Sequence, residues 1–368
     1  MRIAQVIQNL ECGGDVAMVV ALSSYFADLG HKVDVLCLDR PTSSAHEHLW
    51  LSVLNQRRVS SQFLGRKVKW PGFVAALRLW WLIQCRSYDV VHSHLSMPDA
   101  IIGIIRRLTA VPFKHVLTVH NTREPRSRIR AICARGGNVV YCSKAVQRQS
   151  PLPGTSNIVI PNGILQSSYL GHRTQKAETR LQLGVPNDAI VVIAVGRMCA
   201  QKNFDSALDA IAILDRRVPN RRLSFLFCGD GQEKERLEAW AKHSSLTSCV
   251  HFLGNRTDIP TLLAASDVFL STSLYEGMPL TVLEALTAGL PCVLSSIDEH
   301  YEIARTMPGC AFASSDNPEE IASALEHVID NLISPSVLER ARAPLIAQFS
   351  IGTCAASYLS LYNLICHG

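Results

Sequence analysis

The sequence predicts an α/β protein made of two Rossmann-like, doubly wound parallel-sheet domains that face each other across a cleft. Three observations predict it. Short apolar, β-branched runs alternate with helix-period segments along nearly the whole chain, the pattern that builds parallel sheets covered by helices. The alternation ends at the turn signal Pro161-Asn162-Gly163, crosses a polar stretch at 172–180 and restarts at Ile190. The chain has 368 residues, too many for one ordinary domain and enough for two of about 180.

In the first half the pattern predicts strands at Ile3–Ile7, Lys32–Cys37, Asp89–Ser93, His115–Val119 and Asn138–Tyr141. Helices are predicted at Val16–Leu29, Phe73–Arg86, Pro98–Leu108 and Arg126–Ala134. In the second half strands are predicted at Ile190–Val195, Leu223–Cys228, Val250–Phe252, Asp267–Ser271 and Cys292–Leu294. The helices between and after them are placed at Phe204–Arg216, Glu233–His243, Ile259–Ala265, Leu280–Ala288 and Pro318–Leu332. Phe204, Ala207, Leu208, Ile211 and Leu214 form one helical stripe, and Asn203 precedes it as an expected N-cap. The domains are accordingly placed at residues 1–165 and 166–350, joined within 163–185. The segment 351–368 is a last helix with no strand to serve, free to pack back on the first domain.

Composition narrows the class. Hydrophobic residues make up 48% and mean hydropathy is +0.14, so a sizeable core is available and disorder is excluded. Apolar runs such as Ile190 to Val195 are far short of the ~20 residues a membrane span needs, and Ile3 to Ile7 is no secretory apolar segment; a cytoplasmic location is expected. The twelve cysteines are scattered without a Cys-x-x-Cys pair, which predicts reduced, packed thiols and no metal centre. Charge is asymmetric: net +11 over residues 1–165 and −6 over 166–368. The basic half predicts an anionic partner there, such as a membrane surface, a lipid phosphate or an acidic glycan, and no motif favours nucleic acid.

The polar motifs cluster at predicted strand ends, where doubly wound sheets bind ligands. Cys12-Gly13-Gly14 follows the first strand; two glycines there allow a close approach to an anion at a helix N-terminus, and a plain tight turn explains them equally well. His92 and His94 end one strand and His120 another; a strand's carboxyl end faces a ligand cleft, which favours a functional role for His120, while for His92 and His94 a functional and a structural role stand equally open. Arg197 and Lys202, on the loop opened by Gly196, suit a diphosphate through a guanidinium, an ammonium and a helix N-terminus. Gly229, in Cys228-Gly229-Asp230-Gly231, serves a turn or a ligand, and Arg256 ends a strand where a base could lie. The most specific segment runs from Ser273 to Ala285. Glu276 lies on a loop, Gly277 frees the backbone, Met278 follows, Pro279 and Leu280 open a helix, and Glu284 lies one turn in. Two carboxylates so spaced can accept bonds from the hydroxyls of a hexose and a ribose, while loop N–H groups meet phosphate.

These residues, in order, resemble the family 4 glycosyltransferases of GT-B fold: Gly13-Gly14, His120, Pro161-Asn162-Gly163, Gly196-Arg197 with Lys202, Gly229-Asp230-Gly231, and the Glu-x7-Glu pattern from Glu276 to Glu284. The resemblance runs from residue 2 to about residue 300. It implies a retaining transferase that moves a hexose from a nucleotide-diphosphate donor, UDP by preference, to a glycan or lipid-linked acceptor in surface polysaccharide or glycolipid synthesis. It implies that Arg197 and Lys202 stabilise the leaving diphosphate, Glu276 holds the donor hexose beside the amides of Gly277 to Leu280, and Glu284 takes the ribose. Gly13 and Gly14 would close over the diphosphate, His120 would sit beside the anomeric carbon, and Asn162 would belong to the substrate-binding set. No metal or other cofactor is expected, since fixed cations neutralise the leaving group. Asp15 departs from the family pattern and receives no role.

Two basic segments bear on the acceptor. Arg66-Lys67-Val68-Lys69-Trp70 precedes Phe73, Leu77, Trp80 and Trp81, which suits an interfacial helix on an anionic bilayer or, equally, an ordinary helix burying Leu77 and Trp81. Arg123, Arg126, Arg128, Arg130 and Arg135 follow His120 and suit a lipid-linked diphosphate or a solvated face. The other classes weighed are a nucleotide-sugar 2-epimerase of similar fold and a non-catalytic nucleotide-sugar-binding subunit. An NAD dehydrogenase is disfavoured because the full glycine fingerprint is missing.

Overall fold

The computed structural model describes residues 1–66, 72–94, 98, 101–103, 105–106, 112–121, 137–149, 158–171 and 175–367. The chain forms two compact units, Met1–Ile164 with Phe349–Gly368, and Leu165–Gln348.

The first unit is a parallel sheet of β1 (Arg2–Ile7), β2 (Lys32–Asp39), β3 (Ser60–Arg66), β4 (Val90–His94), β5 (Lys114–Val119), β6 (Asn138–Tyr141) and β7 (Ile158–Val159). Its order is β3-β2-β1-β4-β5-β6-β7, with every pair parallel. The described helices are α1 (Gly14–Asp28), α2 (Ala45–Gln56), α3 (Phe73–Arg86), α4 (Lys144–Gln149) and, from the far end of the chain, α13 (Ile351–His367). The predicted helix Arg126–Ala134 and part of Pro98–Leu108 lie outside the described residues, as do Lys67, Lys69, Trp70 and the arginines from Arg123 to Arg135.

Sequence periodicity missed β3 and α2. β3 carries only Phe63 and Leu64 as large apolar residues, too few to show period-2 alternation. For α2 a signal was present: Ser44 accepts a bond from the Glu47 amide at 3.1 Å, while the Glu47 carboxylate accepts from the amides of Thr42 (2.9 Å) and Ser43 (3.0 Å). That Ser-x-x-Glu spacing is a capping box.

Two expectations for the basic segment are corrected. Arg66 is buried, its Nε 2.5 Å from Asp39 Oδ1, because β3 lies beside β2 and brings the charges together. α3 buries Ala75, Leu79, Leu82 and Ile83 and exposes Phe73 (69%), Leu77 (49%) and Trp81 (58%), so Leu77 and Trp81 are not its packed face.

α13 returns to this unit at Ile164. The Ile164 amide donates to Phe349 O and the Ile351 amide to Ile164 O, both at 3.0 Å. A Cβ on Gly163 would lie 2.6 Å from Ser350 O, so the glycine of Pro161-Asn162-Gly163 makes room for the returning chain. Asn162 is buried in the same unit.

The second unit repeats the plan with β8 (Ile190–Val195), β9 (Leu223–Cys228), β10 (Val250–Gly254), β11 (Val268–Ser271), β12 (Cys292–Ser295) and β13 (Ala311–Ala313), ordered β10-β9-β8-β11-β12-β13. Its helices are α5 (Lys176–Gln182), α6 (Phe204–Arg217), α7 (Lys234–His243), α8 (Ile259–Ala265), α9 (Leu280–Ala288), α10 (Asp298–Ala304), α11 (Pro318–Asp330) and α12 (Pro335–Gln348). The polar stretch read as a linker contains α5. The core packs Val192, Phe204, Leu208, Phe225, Phe227 and Leu325, with the rings of Phe204 and Phe227 edge to face at 5.3 Å. Asn203 precedes α6 but does not cap it. It adopts φ 51°, and its amide nitrogen donates to Ser206 Oγ and Ser315 O instead.

In both sheets the strand order reverses beside the first strand of the unit, at β1/β4 and at β8/β11. The carboxyl ends of strands at such a switch point are where doubly wound sheets bind ligands.

Candidate functional site

In the second unit the loops after β8 and β11 are tied to each other. Thr272 Oγ1 donates to the carbonyls of Lys202 (3.0 Å) and Asn203 (2.9 Å), and the Leu274 amide donates to Gln201 O at 2.9 Å. Gln201 Nε2 donates to Tyr275 O at 2.9 Å. These bonds carry Lys202 to Glu276, with Nζ 2.6 Å from Oε1 and both side chains largely buried.

The glycines of the two neighbouring loops make this arrangement possible. A Cβ on Gly196 would stand 3.0 Å from Lys202 Cε, so the lysine stem runs across a bare backbone. Gly229 has φ +138°, and a Cβ there would lie 2.0 Å from Gly196 O; only glycine fits. Gly229 therefore supports the Gly196 loop from behind.

The two glutamates differ electrostatically. Burial pushes the Glu276 carboxyl up, but Lys202, a Ser273 hydrogen bond and the neighbouring His300 outweigh it and hold it below its ordinary value. Burial carries Glu284, on α9, up to about 7, against the opposing pull of a Tyr169 hydrogen bond and the Lys202 charge. Lys202 thus acts on both carboxylates, which places all three groups in one neighbourhood. Arg197 leaves the same loop into solvent and makes no ion pair with any described residue. Met278, Pro279 and Leu280 are buried where α9 begins, and Gly277 with them. Arg256 is paired with Asp258, at 2.8 and 2.6 Å, on the loop after β10. The structure thus brings Gly196, Lys202, Glu276 and Glu284 together and leaves Arg256 occupied by a partner.

Sequence reasoning missed Tyr169, Gln201, Ser273 and His300 around this cluster. His300 is buried, its Nδ1 donating to Ser295 O at 2.9 Å, and burial lowers it to about 4. Gln201 stands next to Lys202 in sequence and was within reach of the motif; Tyr169, in a short 3₁₀ turn over Gln166–Tyr169, carries no sequence signal.

In the first unit Gly13 precedes α1 and Gly14 begins it. Of the two readings open for His92 and His94, the structure takes the structural one: both are fully buried. Parallel register and the period-2 pleat put Gln5, His92, His94, Thr118 and His120 on one face of the sheet, and α13 covers part of it with Tyr358 and Tyr362. His92 bonds the Tyr362 hydroxyl (2.6 Å) and Thr118 Oγ1 (2.7 Å), and Thr118 bonds the Tyr358 hydroxyl (2.7 Å). His94 bonds Gln5 Oε1 (2.7 Å) and His120 Nε2 (3.0 Å). His120 is only half-buried as a residue, and burial around its ring lowers it to about 4, with Asp15 pulling the other way.

Among the described residues no group of three or more His, Cys, Asp or Glu side chains is placed to hold a metal ion, and no helix is long and apolar enough to cross a membrane.

Comparison with known proteins fits this geometry. A family model described as Glycosyltransferase Family 4 matches residues 12–165, and one described as Glycosyl transferases group 1 matches residues 189–331. The chain is 28% identical over 298 residues, 75% of each chain, to the UDP-Gal:alpha-D-GlcNAc-diphosphoundecaprenol alpha-1,3-galactosyltransferase of Escherichia coli. It is 23% identical over 293 residues, 76% of this chain and 80% of the relative, to the O-antigen biosynthesis glycosyltransferase WclY of Escherichia coli. The crystal structure of HepE from Anabaena in complex with UDP-glucose superposes with a TM-score of 0.83 at 20% identity, covering 98% of this chain and all of that one.

Proposed function

Because the chain belongs to glycosyltransferase family 4 and has the GT-B fold, we propose that it transfers a hexose from a UDP-sugar, with retention of anomeric configuration, to a glycan or lipid-linked acceptor in surface polysaccharide synthesis. One observation carries the reading: at the switch point of the second unit, Lys202 pairs with Glu276 and acts on Glu284, on the loop that also sends Arg197 into solvent. That is a cradle for a diphosphate with acceptors for hydroxyls beside it. The UDP-glucose complex of HepE and the UDP-galactose donor in the name of the Escherichia coli galactosyltransferase support UDP. The diphosphoundecaprenol in the latter name, with the +11 charge of residues 1–165, supports a lipid-diphosphate acceptor.

In this mechanism the bond between the anomeric carbon and the diphosphate oxygen breaks, leaving positive charge on the sugar and negative charge on the diphosphate. Arg197 and Lys202 stabilise the developing anion, a fixed electrostatic contribution worth about 10²–10³ in rate per donor. Glu276 orients the hexose, and Glu284 accepts from the ribose hydroxyls, which favours its ionised form. The acceptor hydroxyl attacks from the face the diphosphate leaves, and its proton passes to the departing oxygen. No metal is required, because side-chain cations carry the charge. On the family pattern, His120 is assigned to the sugar and the Gly13-Gly14 turn to the diphosphate. The exposed apolar residues Phe73, Leu77 and Trp81 of α3 support contact with an anionic bilayer, at the cytoplasmic face of the membrane.

A thermal-shift panel of nucleotide sugars tests the donor: one UDP-sugar raises the melting temperature more than its GDP and ADP counterparts. NMR of the product reads retention at the anomeric carbon, and turnover in excess chelator reads metal independence. An inverted product, or activity restored only by a divalent ion, overturns the corresponding part.

A further inference from the structure

We propose that Gln5 and His94 are positioning residues that fix the tautomer of His120, so that its ring carries the proton on Nε2 and presents Nδ1 as a bare acceptor. The argument rests on the order of donors and acceptors along a buried chain. Gln5 Oε1 can only accept, so His94 Nε2, at 2.7 Å, must be the donor. A neutral imidazole that donates from Nε2 accepts at Nδ1. His94 is fully enclosed, and burial lowers its pKa far enough to keep the ring neutral. His94 Nδ1 is 3.0 Å from His120 Nε2, which therefore supplies the proton between them. His120 Nδ1 is then left with a lone pair, and it is a buried atom with no partner among the described residues. A buried acceptor without a donor carries a desolvation cost. A ligand O–H or N–H group placed there would remove that cost, whereas a phosphate oxygen would be repelled.

The register shows why Gln5 fills this position. Gln5 lies opposite His92 in the β1/β4 pair, and His94 lies two residues further along β4 on the same face. A glutamine side chain is long enough to reach forward from β1 to that next position.

The inference depends on the assignment of His120 to the sugar only for its catalytic consequence; the tautomer itself is read without substrate. Long-range ¹⁵N–¹H correlation spectra of the unliganded full chain near pH 7, with the His120 signals identified by their loss in His120→Asn, are expected to show His120 protonated at Nε2 alone. A ring protonated at Nδ1, as the reverse orientation of the Gln5 amide would produce, or an imidazolium, overturns the proposal. Gln5→Leu, which removes the acceptor, is expected to mix the tautomers and lower kcat about 10–100-fold with little change in donor KM. Gln5→Glu, which keeps an acceptor oxygen, is expected to restore the Nε2–H form. Wild-type tautomer and kcat in Gln5→Leu would overturn the role of Gln5. If Gln5→Leu does not fold, the wild-type spectrum decides alone. Full activity in His120→Asn, beside an Nε2–H signal in the wild-type protein, would sink the catalytic assignment of His120 and leave the tautomer standing.

Discussion

The polar cluster of the first unit and that of the second solve opposite problems. Around His92, His94 and His120 the rings are neutral and bonded to a neighbouring hydroxyl, amide or ring, and two buried nitrogens, His120 Nδ1 and Gln5 Nε2, have no partner among the described residues. Around Lys202 and Glu276 the groups are charged, and the arrangement keeps charge in place by pairing it while leaving Arg197 in solvent. The first cluster sets direction through hydrogen bonds; the second stores electrostatic potential. Stability and turnover should therefore respond differently to substitution in the two.

The largest effects are expected at the ion pair. Lys202→Met leaves Glu276 buried without its cation and should cost about 3–5 kcal/mol as well as about 10²–10³ in turnover. The double variant Lys202→Met/Glu276→Leu should recover much of the stability and none of the activity, measured by denaturant unfolding and donor turnover. Equal destabilisation of the single and double variants would remove the pair from the account. Arg197→Ala should lower turnover by a similar factor while changing stability by no more than about 0.5 kcal/mol, since the side chain is exposed and makes no ion pair with any described residue. Loss of stability with unchanged turnover would reverse the assignment.

In the histidine cluster, Tyr362→Phe removes a hydroxyl 2.6 Å from a fully buried ring nitrogen and should cost about 1–3 kcal/mol in unfolding free energy. An unchanged midpoint would show the network to be slack.

The pH dependence separates the clusters by sign. His120, lowered to about 4, binds fewer protons folded than unfolded between about 4 and 6.5, so its contribution rises with pH across that window and is complete above it. Glu284 at about 7 binds more protons folded than unfolded above 4.5, so its contribution falls as pH rises from about 4.5 to about 7. Glu284→Gln should therefore stabilise the unliganded protein at pH 8 relative to wild type and lose that advantage at pH 4.5, followed by melting temperature. UDP binding near pH 6.5 should release protons in wild type and not in the variant, read by calorimetry in buffers of different ionisation enthalpy. The smallest effect is expected for Arg256→Ala, whose half-exposed pair with Asp258 is worth no more than about 1 kcal/mol.

Much of this was legible in the sequence, for local reasons. Strand β8 at Ile190–Val195 and helix α3 at Phe73–Arg86 were readable to the residue because apolar runs and helical stripes sit next to clear breakers. Lys202, Glu276 and Glu284 were found because a loop–helix motif fixes their spacing. The failures share one cause. Chain position alone left His92 and His94 open between site and structure, and what decides His92 is the Tyr362 hydroxyl of α13, 270 residues away in sequence. Arg66 looked like a surface cation until β2 brought Asp39 to it.

By itself the sequence determined the alternation of strands and helices, the restart of the series at Ile190, and the residue types at the strand ends, because those follow from periodicity and steric rules acting over a few residues. Only the tertiary structure decided which charges meet, which histidines are enclosed and which glutamate sits near 7. Desolvation and pairing depend on what distant segments place around a group, and no local pattern carries that information.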